Sequence, residues 1–460
     1  MAIFSGDIFA ENYTVSSSVT NVQISSVSGS TKSGDSVDDI HQFTGSLHIS
    51  ASRMILNDGE GNIGIGKNAL LQAGPGYQNI AIGNETLRSG QGMYRNIAIS
   101  YGALYSQTST GTGAIAIGYT SQYDYTNSGG AGSTALGYET LRYNQSGGHN
   151  TAIGYQALKG ASGQSHSYNT AVGSRAMKSI TTGDSNIAVA MDSAGALTSG
   201  HRNIVIGRLA GNALTTQDDN IIIGYEAGND TGGSKAVIIG NYAGDDNSPT
   251  NAVIIGYRAG RVINGENTVA VGYDALKAAT ESDNTAVGAY ALTSLVDGEN
   301  NTALGIAAGY RIDKGDDSTF LGWYAGYNAT GSQNTFVGSE AGEGGQTSAP
   351  YSSGQYNTAV GYNALAGFTT GERIVALGYN AGASLTTGGQ SVFIGYNAGD
   401  AIIDSYRNIA IGDNALSEDA GDDNIAVGMF ALRTLEGGGN ANIGIGTRAG
   451  ETITTGTRNI

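Results

Sequence analysis

The sequence predicts an all-β fold, a repetitive parallel β-solenoid or β-roll of about 23 coils of 16–19 residues. Three observations carry this. A short apolar run closed by glycine recurs along most of the chain, as in VALGYNAG and TAVGYNAL, seventeen residues apart. Gly makes up 74 of the 460 residues and Pro only 3, which excludes collagen, where Pro is abundant. The residues before each glycine are β-branched or aliphatic, at a density that opposes helix.

The glycine is the anchor of the repeat. It stands at Gly66, Gly83, Gly118, Gly154, Gly207, Gly288, Gly361, Gly378, Gly412 and Gly428, among others, and Ser100 and Ala190 replace it in two copies. There are 23 copies; 21 of the 22 intervals are 16 to 19 residues, and one, Gly338 to Gly361, is 23 because GGQTSAPYSSG is inserted. Counting from the anchor, position −1 is Ile, Val or Leu and position −3 is Ile, Val or Thr. Side chains alternate along a strand, so these two share one face and position −2 lies on the other. Position −4 is Asn in 15 copies and position +3 is Ala in 19. Position +7 is often apolar, as at Ile180, Leu214, Leu295, Leu385, Ile402 and Leu435.

Each copy therefore reads as a short strand, a glycine corner, a small residue, a second extended piece and a polar turn. Pro75, Pro249 and Pro350 fall between strands, where a missing N–H does no harm. Ordering one copy costs on the order of 1–2 kcal/mol per residue, and burying its two or three aliphatic side chains returns roughly 1.5–3 kcal/mol each. A lone copy cannot fold; stacked copies can, through backbone ladders and a continuous core. Asn at −4 is placed to form an amide ladder. The acids of the turns, such as Glu299, Asp316, Asp317, Asp422 and Asp423, are placed to bond turn backbone.

Both strand faces are apolar, which implies burial on both. The expectation is that one face fills the coil's own core. The small −2 row (Ala81, Ala98, Ala152, Ala171, Ala286, Ala359, Ala410 and Ala426) would then meet identical chains around a shared axis. The alternative is a flattened coil that fills both faces itself.

The pattern N-[IT]-A-[IV]-G-Y-x-A-[LG] resembles the head repeats of YadA-type trimeric autotransporter adhesins. It is similar, more closely, to the N-T-A-[VL]-G-x-x-A-L repeats of bacteriophage tail fibres. The resemblance covers about residues 61–460 and implies a left-handed roll and a homotrimeric fibre. The units here are longer than the adhesin unit. MAIFSGDIFAENYTVSSS lacks the basic n-region of a signal peptide and no C-terminal membrane-anchor barrel is recognised, which favours the phage carrier. The expected function is the structural shaft of a trimeric virion fibre supporting host attachment, assembled in the host cytoplasm. The alternatives are a bacterial surface adhesin or extracellular filament and, further off, a glycan-cleaving tailspike.

Residues 1–60 lack the repeat. By analogy with such fibres they form a capping segment that attaches to virion or baseplate proteins; the alternative is a flexible leader. The final TTGTRNI enters a further strand, compared with SYRNIAIG at 405–412, so the natural product is expected to run on.

The chemistry expected is slight. A formal net charge of −17 argues against nucleic acid and anionic lipid as partners. Cys is absent, so there is no thiolate chemistry, and no apolar run is long enough to span a membrane. His41, His48, His149, His166 and His201 show no metal-ligand spacing and read as surface residues. No catalytic residues, metal site or cofactor are assigned, and no enzymatic activity is expected. Tyr follows the anchor in 10 copies. Tyr138, Tyr155, Tyr362, Tyr379 and Tyr396 are the candidates for contact with a host glycan, although a stiffening ladder is the preferred reading of that row.

Overall fold

The computed structural model describes residues 60–460 apart from 72–75, 90–91, 107–111, 126–131, 231, 247–248 and 347. The N-terminal capping segment and Pro75 lie outside the described residues. Among them there are 23 strands of three residues each, from Ile63–Ile65 to Ile443–Ile445, and no helix. Each strand pairs in parallel with the next in the chain, in register on the repeat, as in Ile204–Ile206 against Ile221–Ile223. The result is one parallel 23-stranded sheet on a β-solenoid. At about 4.8 Å per step the sheet runs on the order of 100 Å.

The expected second extended piece is not formed as a strand. After the corner the backbone turns left-handed at positions +2 and +4, as at Asp192 and Ala194, and again at −5, as at Arg202. Residues of that conformation cannot belong to an extended strand. The backbone still pairs with neighbouring coils there. The Asp192 N–H donates to the Ser174 carbonyl (2.9 Å), and the Ala194 N–H donates to the Ala210 carbonyl (2.9 Å). Few backbone groups inside the stack are left without a partner, which is what allows so short a strand to be stable.

The corner glycines have φ between 123° and 138° at the ten positions named above. A second constraint adds to the first. A Cβ on Gly207 would lie 2.1 Å from the carbonyl oxygen of Gly224, one coil on. Glycine is thus required by conformation and by the close approach of successive coils.

The −2 row faces inward, which corrects the expected inter-chain face. Ala81, Ala98, Ala152, Ala171, Ala286, Ala359, Ala410 and Ala426 are fully buried in the chain's own core. The reason is the narrowness of the coil. The strand packs directly against the residues at +3 and +4, and two full-sized side chains do not fit between. Wherever −2 is one of those alanines, +4 is large: Leu87, Leu104, Leu158, Met177, Leu292, Leu365, Leu416 and Leu432, all buried. Where −2 is Phe320, Phe336 or Phe393, +4 is Gly326, Gly342 or Gly399. A Cβ on those glycines would approach the facing ring to 2.3–2.4 Å. The apolar +7 residues Ile180, Leu214, Leu295, Leu385, Ile402 and Leu435 complete the core, as the sequence predicts.

The Asn row at −4 forms the predicted ladder. The backbone N–H and Nδ2 of Asn203 donate to Asn186 Oδ1 (2.9 and 3.0 Å), and those of Asn220 donate to Asn203 Oδ1 (both 3.1 Å). Each Nδ2 also reaches a turn carbonyl, as from Asn186 to Gly200 (2.8 Å). Buried amides with these contacts are satisfied, and removing one would orphan partners on both sides. Asn459 continues the row by donating from its N–H to Asn442 Oδ1 (3.0 Å).

Candidate functional site

With −2 turned inward, the outward face of the sheet carries the −3 and −1 rows. These are Ile, Val, Leu and Thr throughout, with no charge in either row. Nothing in the chain covers them. Ile65, Leu136, Ile153, Ile206, Leu304, Val360 and Ile445 are all exposed, Ile445 by 70%. The face is one strand wide and 23 strands long, on the order of 1,000 Å² of contiguous surface. Soluble monomers rarely expose an apolar patch of more than a few hundred Å².

The tyrosine row runs beside this face. Tyr101, Tyr119, Tyr138 and Tyr155 form a continuous stack with centroids 5.2–5.4 Å apart and planes within 15°. Tyr362, Tyr379 and Tyr396 form a second, at 5.3 and 5.1 Å. Both faces of Tyr138 and Tyr379 are therefore covered by neighbouring rings, and Tyr155, Tyr362 and Tyr396 each have one face covered. What these residues offer to solvent is mainly ring edge and hydroxyl.

The turn acids bond backbone, as the sequence predicts. Asp316 Oδ1 accepts from the Glu299 N–H (3.1 Å) and Asp422 Oδ1 from the Tyr406 N–H (2.9 Å), each one coil earlier. Arg407, bonded to Asp423, holds that carboxyl below the usual carboxylate range. Among the described residues no group of three or more His, Asp or Glu is arranged to hold a metal. No helix there is long and apolar enough to cross a membrane.

No protein-family model, no curated protein and no solved structure matches the chain.

One histidine departs from the surface reading. His166 is buried, 1% exposed, because it occupies an inward corner that is glycine in most other coils, such as Gly183 and Gly200. Its Nε2 has no partner within hydrogen-bond distance, and Nδ1 lies 3.5 Å from Asn169 Nδ2. Burial lowers its pKa to about 4. His149 is exposed and His201 half-buried, while His41 and His48 lie outside the described residues.

A pH dependence follows from His166. The unfolded chain takes up this proton near pH 6.5 and the folded chain only near 4. Between those values the unfolded state binds more protons, so stability falls as pH falls. From pH 7 to pH 5 the loss through this group is about 2 kcal/mol. Denaturant unfolding of the native chain and of His166→Gln at both pH values measures it. The native chain should lose more than the variant by about that amount.

The outward identity of the −1 and −3 rows, the packing of −2 against +4 and the burial of His166 are the features that the sequence reading missed. The second had a visible signal, because side-chain size at −2 and +4 runs in opposition along the chain.

Proposed function

We propose that this chain is the structural shaft of a homotrimeric virion fibre, holding an attachment end away from a particle, with no enzymatic role. The observation that supports it most is the uncovered, charge-free aliphatic face along the whole described sheet. Such a face needs a partner as long and as regular as itself, and a second copy of the same chain is the simplest surface with that period. The number three and the virion as carrier come from the resemblance to phage fibre repeats. In this reading the inter-chain seam is the Ile/Val/Leu/Thr face, with the alanines behind it in each subunit's own core. Stiffness comes from the in-register backbone, the Asn ladder and the tyrosine stacks.

Sedimentation equilibrium on the intact chain tests this. A mass three times that of the chain is expected. Ile206→Asp combined with Ile223→Asp and Ile239→Asp, all in the seam, should drive the trimer toward monomer or aggregate. A monodisperse monomer at micromolar concentration would remove the basis of the proposal. Tail or baseplate genes beside its own would support the carrier.

A further inference from the structure

One part of the solenoid, between Tyr290 and Tyr351, breaks the regular pattern in several ways at once. It contains the only Trp of the chain, Trp323, and it adjoins the only long insert. It also holds a cleft of about 320 Å³ lined by Tyr290, Ile306, Ala307, Tyr310, Tyr324 and Tyr327.

The cleft arises from a missing ring. Tyr290, Ala307 and Tyr324 hold the same position, two after the anchor, in three successive coils. Two coil steps separate Tyr290 from Tyr324 by roughly 10 Å, and the small Ala307 between them leaves that interval open. Tyr310 and Tyr327 close one side. Tyr310 stacks on Tyr327 (5.0 Å, 6°), Tyr327 stacks on Tyr324 (4.5 Å, 9°), and Tyr290 meets Tyr310 edge-on (6.2 Å, 78°). The insert braces this wall: the Arg311 guanidinium lies 5.0 Å from the ring centroids of both Tyr310 and the insert's Tyr351. Arg311 makes no ion pair among the described residues, unlike Arg258 or Arg407.

We propose that this cleft binds a neutral saccharide, with one pyranose seated over Ala307 between Tyr290 and Tyr324. The C–H faces of a pyranose pack on aromatic rings, and the four phenol hydroxyls of the lining serve its hydroxyl groups. The volume is at the small end for ligand pockets, which suits one or two sugar rings rather than a folded partner. No charged side chain lines the cleft and the chain carries −17, so a carboxylated sugar is disfavoured. An insert that breaks a repeat commonly marks the face that binds.

Trp323 lies 4.2 Å from Tyr324, ring centroid to ring centroid, and so reports on the cleft without a label. The test is a fluorescence titration of the intact chain with gluco-, manno-, galacto- and N-acetylglucosamine oligosaccharides, with polygalacturonate as the acidic comparison. A saturable change with at least one neutral oligosaccharide is expected. Tyr290→Ala should weaken that binding at least tenfold. Ala307→Tyr should abolish it by completing the row, since tyrosine already holds the same backbone conformation at Tyr290 and Tyr324. Tyr379→Ala, in a closed stack far along the chain, should leave it unchanged. No response to any neutral oligosaccharide, a response to polygalacturonate alone, or full binding by Ala307→Tyr would overturn the proposal. None of these outcomes depends on whether the chain is a trimer.

Discussion

Replacing Gly207 by alanine is expected to destabilise its coils by on the order of 3 kcal/mol or more, while replacing Ala190 by glycine is expected to stabilise them by about 1 kcal/mol. The two substitutions are mirror images at equivalent corners. Gly207 has φ 138°, where a side chain is strained, and the added Cβ would lie 2.1 Å from the Gly224 carbonyl oxygen, which the sheet holds in place. Ala190 already sits at a corner, with φ 107°, and carries that conformational strain in the native chain. Thermal unfolding gives the sign, and hydrogen exchange of the amides around residues 187–224 localises the effect. Equal and small effects from both substitutions would mean that the corner tolerates a side chain.

The second large effect concerns the core. Phe336→Ala should cost about 3–5 kcal/mol, because the coil cannot collapse around the lost ring. Gly342→Leu alone should also destabilise, since its Cβ would lie 2.4 Å from Phe336 Cδ2. The two together should recover more than half of the loss. They recreate the Ala359 and Leu365 pair of the next coil, where Leu365 has φ 54° and Gly342 has φ 55°. Denaturant unfolding of the single and double variants closes the cycle. Additive losses would show that −2 and +4 do not share one space.

The period, the strand positions, the glycine corners, the Asn ladder and the +7 core residues were all legible in the sequence. Each rests on local chemistry: alternation along a strand, a backbone only glycine adopts readily, an amide that bonds its copy one coil away. The inside and outside of the sheet were not legible from apolarity, because both faces are apolar. Large Ile and Val were assigned inward by volume and small Ala outward. The interior of so tight a coil inverts that rule, since −2 shares its space with +3 and +4 and has room for one large side chain, not two. Gly326, Gly342 and Gly399 opposite Phe320, Phe336 and Phe393 are the trace of that limit. The rows at −3 and −1 show no such compensation, as expected for side chains that meet nothing within their own coil. The second strand failed for a different reason: nothing in residues such as Asp192 or Arg202 announces a left-handed backbone, which is imposed by the stack.

The most direct test of the account uses the fact that the chain has no cysteine. Single cysteines at Ile204, Val205 and Ile206 sample the outward, inward and outward positions of one strand. Under mild oxidation, Ile204→Cys or Ile206→Cys should form disulfides between copies, and Val205→Cys should form none. Disulfides through Val205→Cys, or free thiol labelling at both outward positions in the native protein, would contradict a sheet whose outer face is sealed by sister subunits.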